Sequence, residues 1–122
     1  GSAYDKRCAA KMGLGQAEDA LKDCRKAVTL DPRNHEAWIN TGALYHRWLK
    51  RPEEAATAYV RALQLDPENG VAHFNYAMLL FESGRRDEIV RYHVIMGCKG
   101  GVRTACKLAA GKQLRLPPGA GK

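Results

Sequence analysis

The chain has 122 residues, of which 45% are hydrophobic and 27% are charged, and its formal net charge is +7. These values are ordinary for a globular protein and allow one small domain with a moderate core. No apolar run approaches the ~20 residues that cross a membrane, and no secretory signal is visible, which argues against a membrane-spanning class. Because Gly1-Ser2 is typical of a cloning remnant, we expect a fragment of a longer protein.

Helix signals recur along the chain with a fixed spacing. The tripeptide Leu-Asp-Pro begins at Leu30 and again at Leu65, 35 residues later, and the residue before proline avoids the helical region, so each copy predicts a helix end. Mixed three- and four-residue spacing of apolar side chains predicts helices over Ala37–Trp48 and Val71–Phe81. Pro52 suits the first turn of a further helix. No alternating run predicts a strand.

Alignment on the two tripeptides divides the chain into units of 34 or 35 residues. These units are residues 1–34, 35–69 and 70–98. The eighth position of each unit holds a small residue, where two helices would approach closely; these residues are Cys8, Gly42 and Ala77. Unit two has one extra residue, which we place in the turn Leu49–Pro52. A repeat of this length is typical of stacked helical hairpins, which bury their apolar faces against their neighbours.

Unit two carries a resemblance to a known family. Its matching residues are Trp38, Gly42, Tyr45, Ala55, Tyr59, Ala62 and Pro67, which fit the W-G-Y-A-F-A-P pattern of the tetratricopeptide repeat (TPR). Unit one matches in its second half and unit three in its first helix, so the chain resembles a fragment of a TPR protein with about three repeats. The resemblance implies an all-α fold, an α-solenoid of helix-turn-helix repeats with a C-terminal capping helix.

The end of the chain departs from the repeat. No third Leu-Asp-Pro follows Arg91, and glycines arrive instead, which favours a divergent last hairpin over a different conformation. Residues 99–122 contain six Lys and Arg and no acidic residue, which predicts a basic capping helix and a flexible tail. The helix is expected over Val102–Leu114, with inward positions at Val102, Ala105, Leu108, Ala109 and Leu114. A basic tail can attract nucleic acid or an anionic membrane; the alternative is that its charges are only solvated.

Side chains with catalytic or metal-binding chemistry are sparse. The four cysteines form no C-x-x-C pair, and the four histidines lie in different parts of the repeat without ligand spacing, so we expect no metal, cofactor or catalytic site. Cys8 and Cys24 occupy helix-packing positions and are expected to be buried, reduced, small hydrophobic residues. Reduced cysteines favour a cytoplasmic or nuclear location.

The resemblance also implies a function and a site. TPR arrays bind extended peptides in a concave groove lined by the first helix of each repeat, which makes this chain a noncatalytic protein–protein interaction module. The groove positions here are Lys6, Ile39, Asn40, Ala43, His46, Arg47, Phe74, Asn75, Met78 and Phe81. Asn40 and Asn75 are similar to the asparagine ladder of O-GlcNAc transferase-type arrays, and an amide can both donate to and accept from a peptide backbone.

Three further functions stay open. The chain could be a substrate-recruiting accessory domain of a larger enzyme such as a glycosyltransferase. It could instead be a co-chaperone-type TPR that binds Hsp70 or Hsp90 tails, although Glu36 would repel their terminal carboxylate. Self-association through the open ends of the array is the third possibility.

Overall fold

The computed structural model describes residues 2–85 and 87–110, and within them the chain is helical without strands. No helix among these residues has the length and apolar character needed to cross a membrane. The helices are α1 (Ser2–Gly13), α2 (Ala17–Leu30), α3 (His35–Ala43), which continues as a π-helical turn (Leu44–Trp48), α4 (Pro52–Leu65), α5 (Gly70–Glu82), α6 (Glu88–Lys99) and α7 (Arg103–Ala110).

The helices form two compact units. Unit 1 (Gly1–Pro67) contains the hairpins α1–α2 and α3–α4, and unit 2 (Glu68–Lys122) contains the hairpin α5–α6 followed by α7. Each hairpin lies within one of the repeat units drawn from the sequence, apart from Lys99 at the end of α6, and the repeat boundaries themselves stay a prediction. The all-α class and the helical hairpins were therefore predicted correctly.

The chain ends and restarts its helices in the same way after α2 and α4. Asp31 N–H donates to the Ala27 carbonyl at 3.0 Å, and Asp66 N–H donates to the Ala62 carbonyl at 2.9 Å. Three residues later, an asparagine side chain caps the next helix: Asn34 accepts from the N–H of Ala37 and Asn69 from that of Ala72. Such a cap satisfies a donor that the helix itself leaves unpaired, and it contributes about 1 kcal/mol.

The extra residue of unit two lies earlier than the sequence indicated. The helix widens over Leu44–Trp48, where Leu49 N–H donates to the Leu44 carbonyl, five residues back, at 3.0 Å. The turn then passes through Lys50, whose φ of 55° is the left-handed conformation that Gly15 adopts in the first hairpin with a φ of 77°. A π turn absorbs one added residue without breaking the helix, because each of its hydrogen bonds encloses one more residue.

Close helix contact in unit 1 depends on Gly42. A Cβ atom at this position would lie 2.5 Å from Cε1 of Tyr59, whose side chain is fully buried. The hairpin α3–α4 therefore needs glycine here, as the small-residue pattern predicted. The equivalent position of the first hairpin is Cys8, which is also fully buried.

The cysteines are bonded in pairs, which corrects the expectation of separate thiols. Cys8 bonds to Cys24 with a Cα–Cα distance of 5.3 Å, and Cys98 bonds to Cys106 with a Cα–Cα distance of 4.5 Å. The first pair is fully buried, as predicted, but its two residues occupy positions that face each other across the hairpin, which brings the sulfur atoms together. Because these cysteines are bonded, they no longer support the inference that the protein lies in a reducing compartment.

Unit 2 has its own apolar core, which confirms a divergent last hairpin after Arg91. Its buried members are Ala77, Val90, Val94 and Ala105, and half-buried side chains pack around them. The hairpin closes tightly at one end, where Gly70 and Gly100 touch backbone to backbone: a Cβ at Gly100 would lie 2.5 Å from Cα of Gly70. The glycines that broke the sequence pattern thus allow α6 to pass next to the start of α5.

The capping helix α7 packs on α6, and it begins at Arg103, one residue after the predicted start at Val102. Ala105 is fully buried, and Val102 and Leu108 cover the same core, as predicted. Ala109 is exposed and does not face the core, which corrects its predicted inward position. Leu114 and the expected flexible tail lie outside the described residues.

Candidate functional site

The first helices of the two hairpins in unit 1 lie side by side and form what we call the helix-A face. Contacts join α1 to α3, and the Asn40 side chain donates a hydrogen bond to the Asp5 carboxylate at 2.5 Å. Asp5 is 8% exposed and Asn40 is half-buried. This hydrogen bond therefore orients both the Asn40 amide and the Asp5 carboxylate on the helix-A face.

Predicted groove residues of unit 1 differ in their accessibility. Lys6 and Arg47 are exposed, and Ala43 is half-buried, so these three remain accessible from solvent. Ile39 and His46 are each 8% exposed. The His46 ring lies against the core, with its Nδ1 3.3 Å from the Tyr59 hydroxyl.

In unit 2 the predicted groove residues lie on α5. Phe74, Met78 and Phe81 are half-buried and pack around the apolar core of this unit. Asn75 is 7% exposed. The paired use of Asn40 and Asn75 as an amide ladder stays a prediction.

Ion pairs between α1 and α2 stabilise the first hairpin next to the helix-A face. Arg7 on α1 makes two hydrogen bonds to the Asp23 carboxylate on α2, at 2.9 and 3.1 Å, and Lys11 adds an ion pair at 2.9 Å. The hydrogen bonds from Arg7 and then Lys11 hold the pKa of Asp23 below its usual value. The Arg7 guanidinium also lies over the Tyr4 ring, 5.5 Å from its centroid. These cations thus stabilise the hairpin instead of forming a carboxylate clamp.

Sequence reasoning missed an imidazole pair in unit 2. His73 on α5 is 3% exposed, and its Nδ1 lies 2.8 Å from Nδ1 of His93 on α6, with the two rings stacked. Tyr76 and Tyr92 pack edge-on against His93. Burial, followed by the nearby His73, lowers the pKa of His93 to about 4. The residues occupy the fourth and twenty-fourth positions of the repeat, which are usual sites of aromatic packing side chains.

The described residues contain no group of three or more histidine, cysteine or acidic side chains arranged to hold a metal ion. The two imidazoles form a packing contact within the hairpin. The surface chemistry available in unit 1 consists of hydrogen-bonding and charged groups on a rigid helical support, which is suited to binding a polypeptide.

Two stretches of the chain match the family described as tetratricopeptide repeat. They are residues 49–88 and residues 9–34, which together span more than half of the chain. The second stretch lies in the first hairpin, and the first stretch begins in the turn before α4 and includes α5.

Curated relatives share about a third of their aligned residues with this chain. A "DnaJ homolog subfamily C member 7 homolog" from Dictyostelium discoideum is 37% identical over 67 residues, 55% of this chain and 12% of the relative. Human "Protein O-mannosyl-transferase TMTC3" is 36% identical over 83 residues, 67% of this chain and 9% of the relative. The "Hsp70/Hsp90 co-chaperone CNS1" of Saccharomyces cerevisiae is 35% identical over 69 residues, 56% of this chain and 18% of the relative. The chain thus spans less than a fifth of each.

Solved structures share the fold at low identity. The Yersinia enterocolitica type III secretion translocator chaperone SycD superposes with a TM-score of 0.78 at 14% identity, over 89% of this chain and 80% of that one. The first TPR of Spaghetti (RPAP3), bound to the HSP90 peptide SRMEEVD, superposes with a TM-score of 0.75 at 16% identity, over 89% of this chain and 94% of that one. These likenesses confirm the predicted class, a TPR α-solenoid.

Proposed function

Because this chain belongs to the tetratricopeptide-repeat family, we propose that it is a noncatalytic module that binds an extended segment of another polypeptide. The binding surface would be the helix-A face of unit 1, formed by α1 and α3. A partner of this kind would leave the fold unchanged, since the helices are held by their own cores.

The Asp5–Asn40 pair is the observation that carries this proposal. It joins α1 to α3 on the helix-A face and presents amide and carboxylate atoms at one place. An extended peptide displays an N–H and a C=O at every residue, and this pair offers an acceptor and a donor that match them. Lys6 and Arg47 are exposed on the same helices and could contact acidic side chains of the peptide.

Related structures support a peptide ligand. The RPAP3 repeat was solved with an HSP90 peptide, and SycD was solved with a peptide of the translocator YopD. Both ligands are short stretches of another protein. At 14% and 16% identity, these structures indicate the kind of ligand and not its sequence.

A pull-down with the full chain, followed by peptide mapping of the captured protein, tests the proposal. We expect the mapped peptide to lose about tenfold in affinity when Lys6→Glu and Arg47→Glu are combined, because two charges on the helix-A face are reversed. Lys22→Glu, an exposed charge reversal on α2, is the matched control and should keep the affinity. Equal binding by all three proteins, with unchanged melting temperatures, would exclude the helix-A face.

A co-chaperone role is the second candidate, and the names of the DnaJ and CNS1 relatives favour it. The helix-A face favours a different peptide, because Asp5 adds a negative charge to this face and would repel a terminal carboxylate bound beside it. Titration with SRMEEVD and with its C-terminally amidated form separates the two roles. A strong preference for the free carboxylate would establish the co-chaperone role, and equal or absent binding favours an internal segment.

Recruitment of substrates to an enzyme is the third candidate, because one relative is a protein O-mannosyl-transferase by name. In that case the peptide bound by this chain would also be modified by catalysis encoded elsewhere in the parent protein. Peptide mapping that returns segments carrying the modification would support it.

A further inference from the structure

An open cavity of about 550 Å³ lies along the exposed side of α4 in unit 1. Five of its lining residues come from α4 and the sixth from α3: Ala56, Thr57, Val60, Arg61, Gln64 and Trp38. The cavity lies outside the helix-A face, so its occupancy does not depend on the proposed function. Thr57, Val60, Arg61 and Gln64 are exposed on α4.

The wall of the cavity is a fixed aromatic ring. Trp38 Nε1 donates to the Pro32 carbonyl at 2.8 Å, which holds the indole in place. The Arg61 guanidinium carbon lies 5.9 Å from the indole centroid, within range of a cation–π contact. The first hairpin repeats this arrangement, with Lys26 Nζ 6.0 Å from the Tyr4 ring centroid.

Arg61 keeps hydrogen-bonding capacity in this position. A guanidinium has five N–H donors, which lie in its plane. One of them meets the Gln64 side-chain oxygen at a long 3.4 Å, and in the described parts of the chain no carboxylate pairs with Arg61. The cavity thus contains an oriented cation that lacks a counter-ion.

The remaining lining residues include two aliphatic side chains, Ala56 and Val60, and two polar ones, Thr57 and Gln64. Val60 is 38% exposed, and Ala56 lies one helical turn before it. A complementary ligand would place an aliphatic side chain against Val60 and the indole and an adjacent carboxylate on the guanidinium.

We propose that this cavity is a second binding site, which takes an acidic peptide segment with an aspartate or glutamate next to an aliphatic residue. A polyanion such as a nucleic acid fits less well, because the lining of the cavity has a single cation, Arg61, beside an indole and aliphatic side chains, and this suits one carboxylate better than a chain of phosphates.

Fluorescence titration of the full chain tests this site. The background variant Trp48→Phe leaves Trp38 as the only indole, so that emission reports on the cavity wall. The probe is the octapeptide Ac-Gly-Ser-Leu-Asp-Ile-Asp-Gly-Ser-NH2. Its control carries asparagine in place of both aspartates, which keeps size and removes charge. An octathymidylate oligonucleotide tests the nucleic-acid alternative.

We expect the acidic peptide to shift the emission of Trp38 and to bind at least about fivefold more tightly than its asparagine control. Arg61→Gln should abolish this preference, whereas Lys26→Gln removes the equivalent cation of the first hairpin and should keep it. Three results would overturn the proposal: no response to the acidic peptide, equal affinity for both peptides, or an Arg61-dependent preference for the oligonucleotide. The comparison of the two peptides needs no cavity variant, so it decides the matter even if Arg61→Gln folds poorly.

Discussion

Substitution of Gly42 by alanine gives a direct measure of how closely α3 and α4 are packed. The new Cβ atom would lie 2.5, 2.6 and 3.1 Å from three carbons of the Tyr59 ring. Carbon atoms in contact prefer separations of about 3.5–4.0 Å, so the ring or the helix must move by roughly 1 Å. Tyr59 has no exposed surface, and its hydroxyl lies 3.3 Å from Nδ1 of His46, so this movement also disturbs a buried polar contact.

Two effects of opposite sign decide the expected magnitude. Replacing glycine by alanine within a helix favours folding by about 1 kcal/mol. Overpacking a well-filled interior costs about 1–3 kcal/mol. Because the contact involves a rigid, fully buried ring and not the end of a flexible side chain, we expect the cost to be near the upper value, and Gly42→Ala to lower the free energy of unfolding by about 1–2 kcal/mol.

Urea unfolding followed by circular dichroism measures this change, with Gly13→Ala as the matched control. A Cβ at Gly13 meets no atom within 4 Å, so this variant gains helix propensity alone and should be as stable as the parent or slightly more stable. In a Tyr59→Leu background the cost of Gly42→Ala should largely disappear. A Gly42→Ala protein as stable as the parent, or a cost that persists without the Tyr59 ring, would refute the assigned contact.

Two more perturbations follow from local geometry. Lys50→Gly should raise the free energy of unfolding by about 1 kcal/mol, because φ of 55° strains any residue with a Cβ; in contrast, Gly15→Ala, at φ of 77°, should lower it. Acidification from about pH 6.5 to pH 4 should destabilise unit 2, because the pKa of His93 is about 4 when folded and near 6.5 when unfolded, so the unfolded chain takes up the proton first. His93→Phe should flatten this loss of stability in pH-dependent melting, and an equally steep loss in the variant would contradict the assignment to His93.

Local sequence signals predicted the helix ends well. Asp31 and Asp66 end their helices because a following proline excludes the helical conformation, and this effect needs no partner beyond the neighbouring residue. The π turn was missed, since α- and π-helical hydrogen bonding differ by one residue and packing decides between them. His46 lies within this wider turn, and its ring is next to the Tyr59 hydroxyl.

Pair contacts were harder to predict. Cys8 and Cys24 were assigned correctly to buried positions, but a burial pattern does not tell whether two facing thiols come within bonding distance. Asn40 was selected for its amide, whereas its partner Asp5 was not, because the contact joins residues of different repeats. The cavity beside Trp38 and Arg61 could not be predicted from the sequence either, because it forms between side chains of two different helices.

The amino-acid sequence alone determined the class of this protein: the 35-residue spacing of Leu30 and Leu65, together with small residues at each helix crossing, is sufficient for paired helices of the TPR kind. These signals act within one helix or one turn, over distances that the covalent chain sets. The tertiary structure alone decided which polar groups meet, which cysteines bond and that Arg61 lies beside the indole of Trp38. Those outcomes change when the distance between two side chains changes by about 1 Å. The side chains are far apart in the chain, and a periodic sequence pattern does not encode such distances.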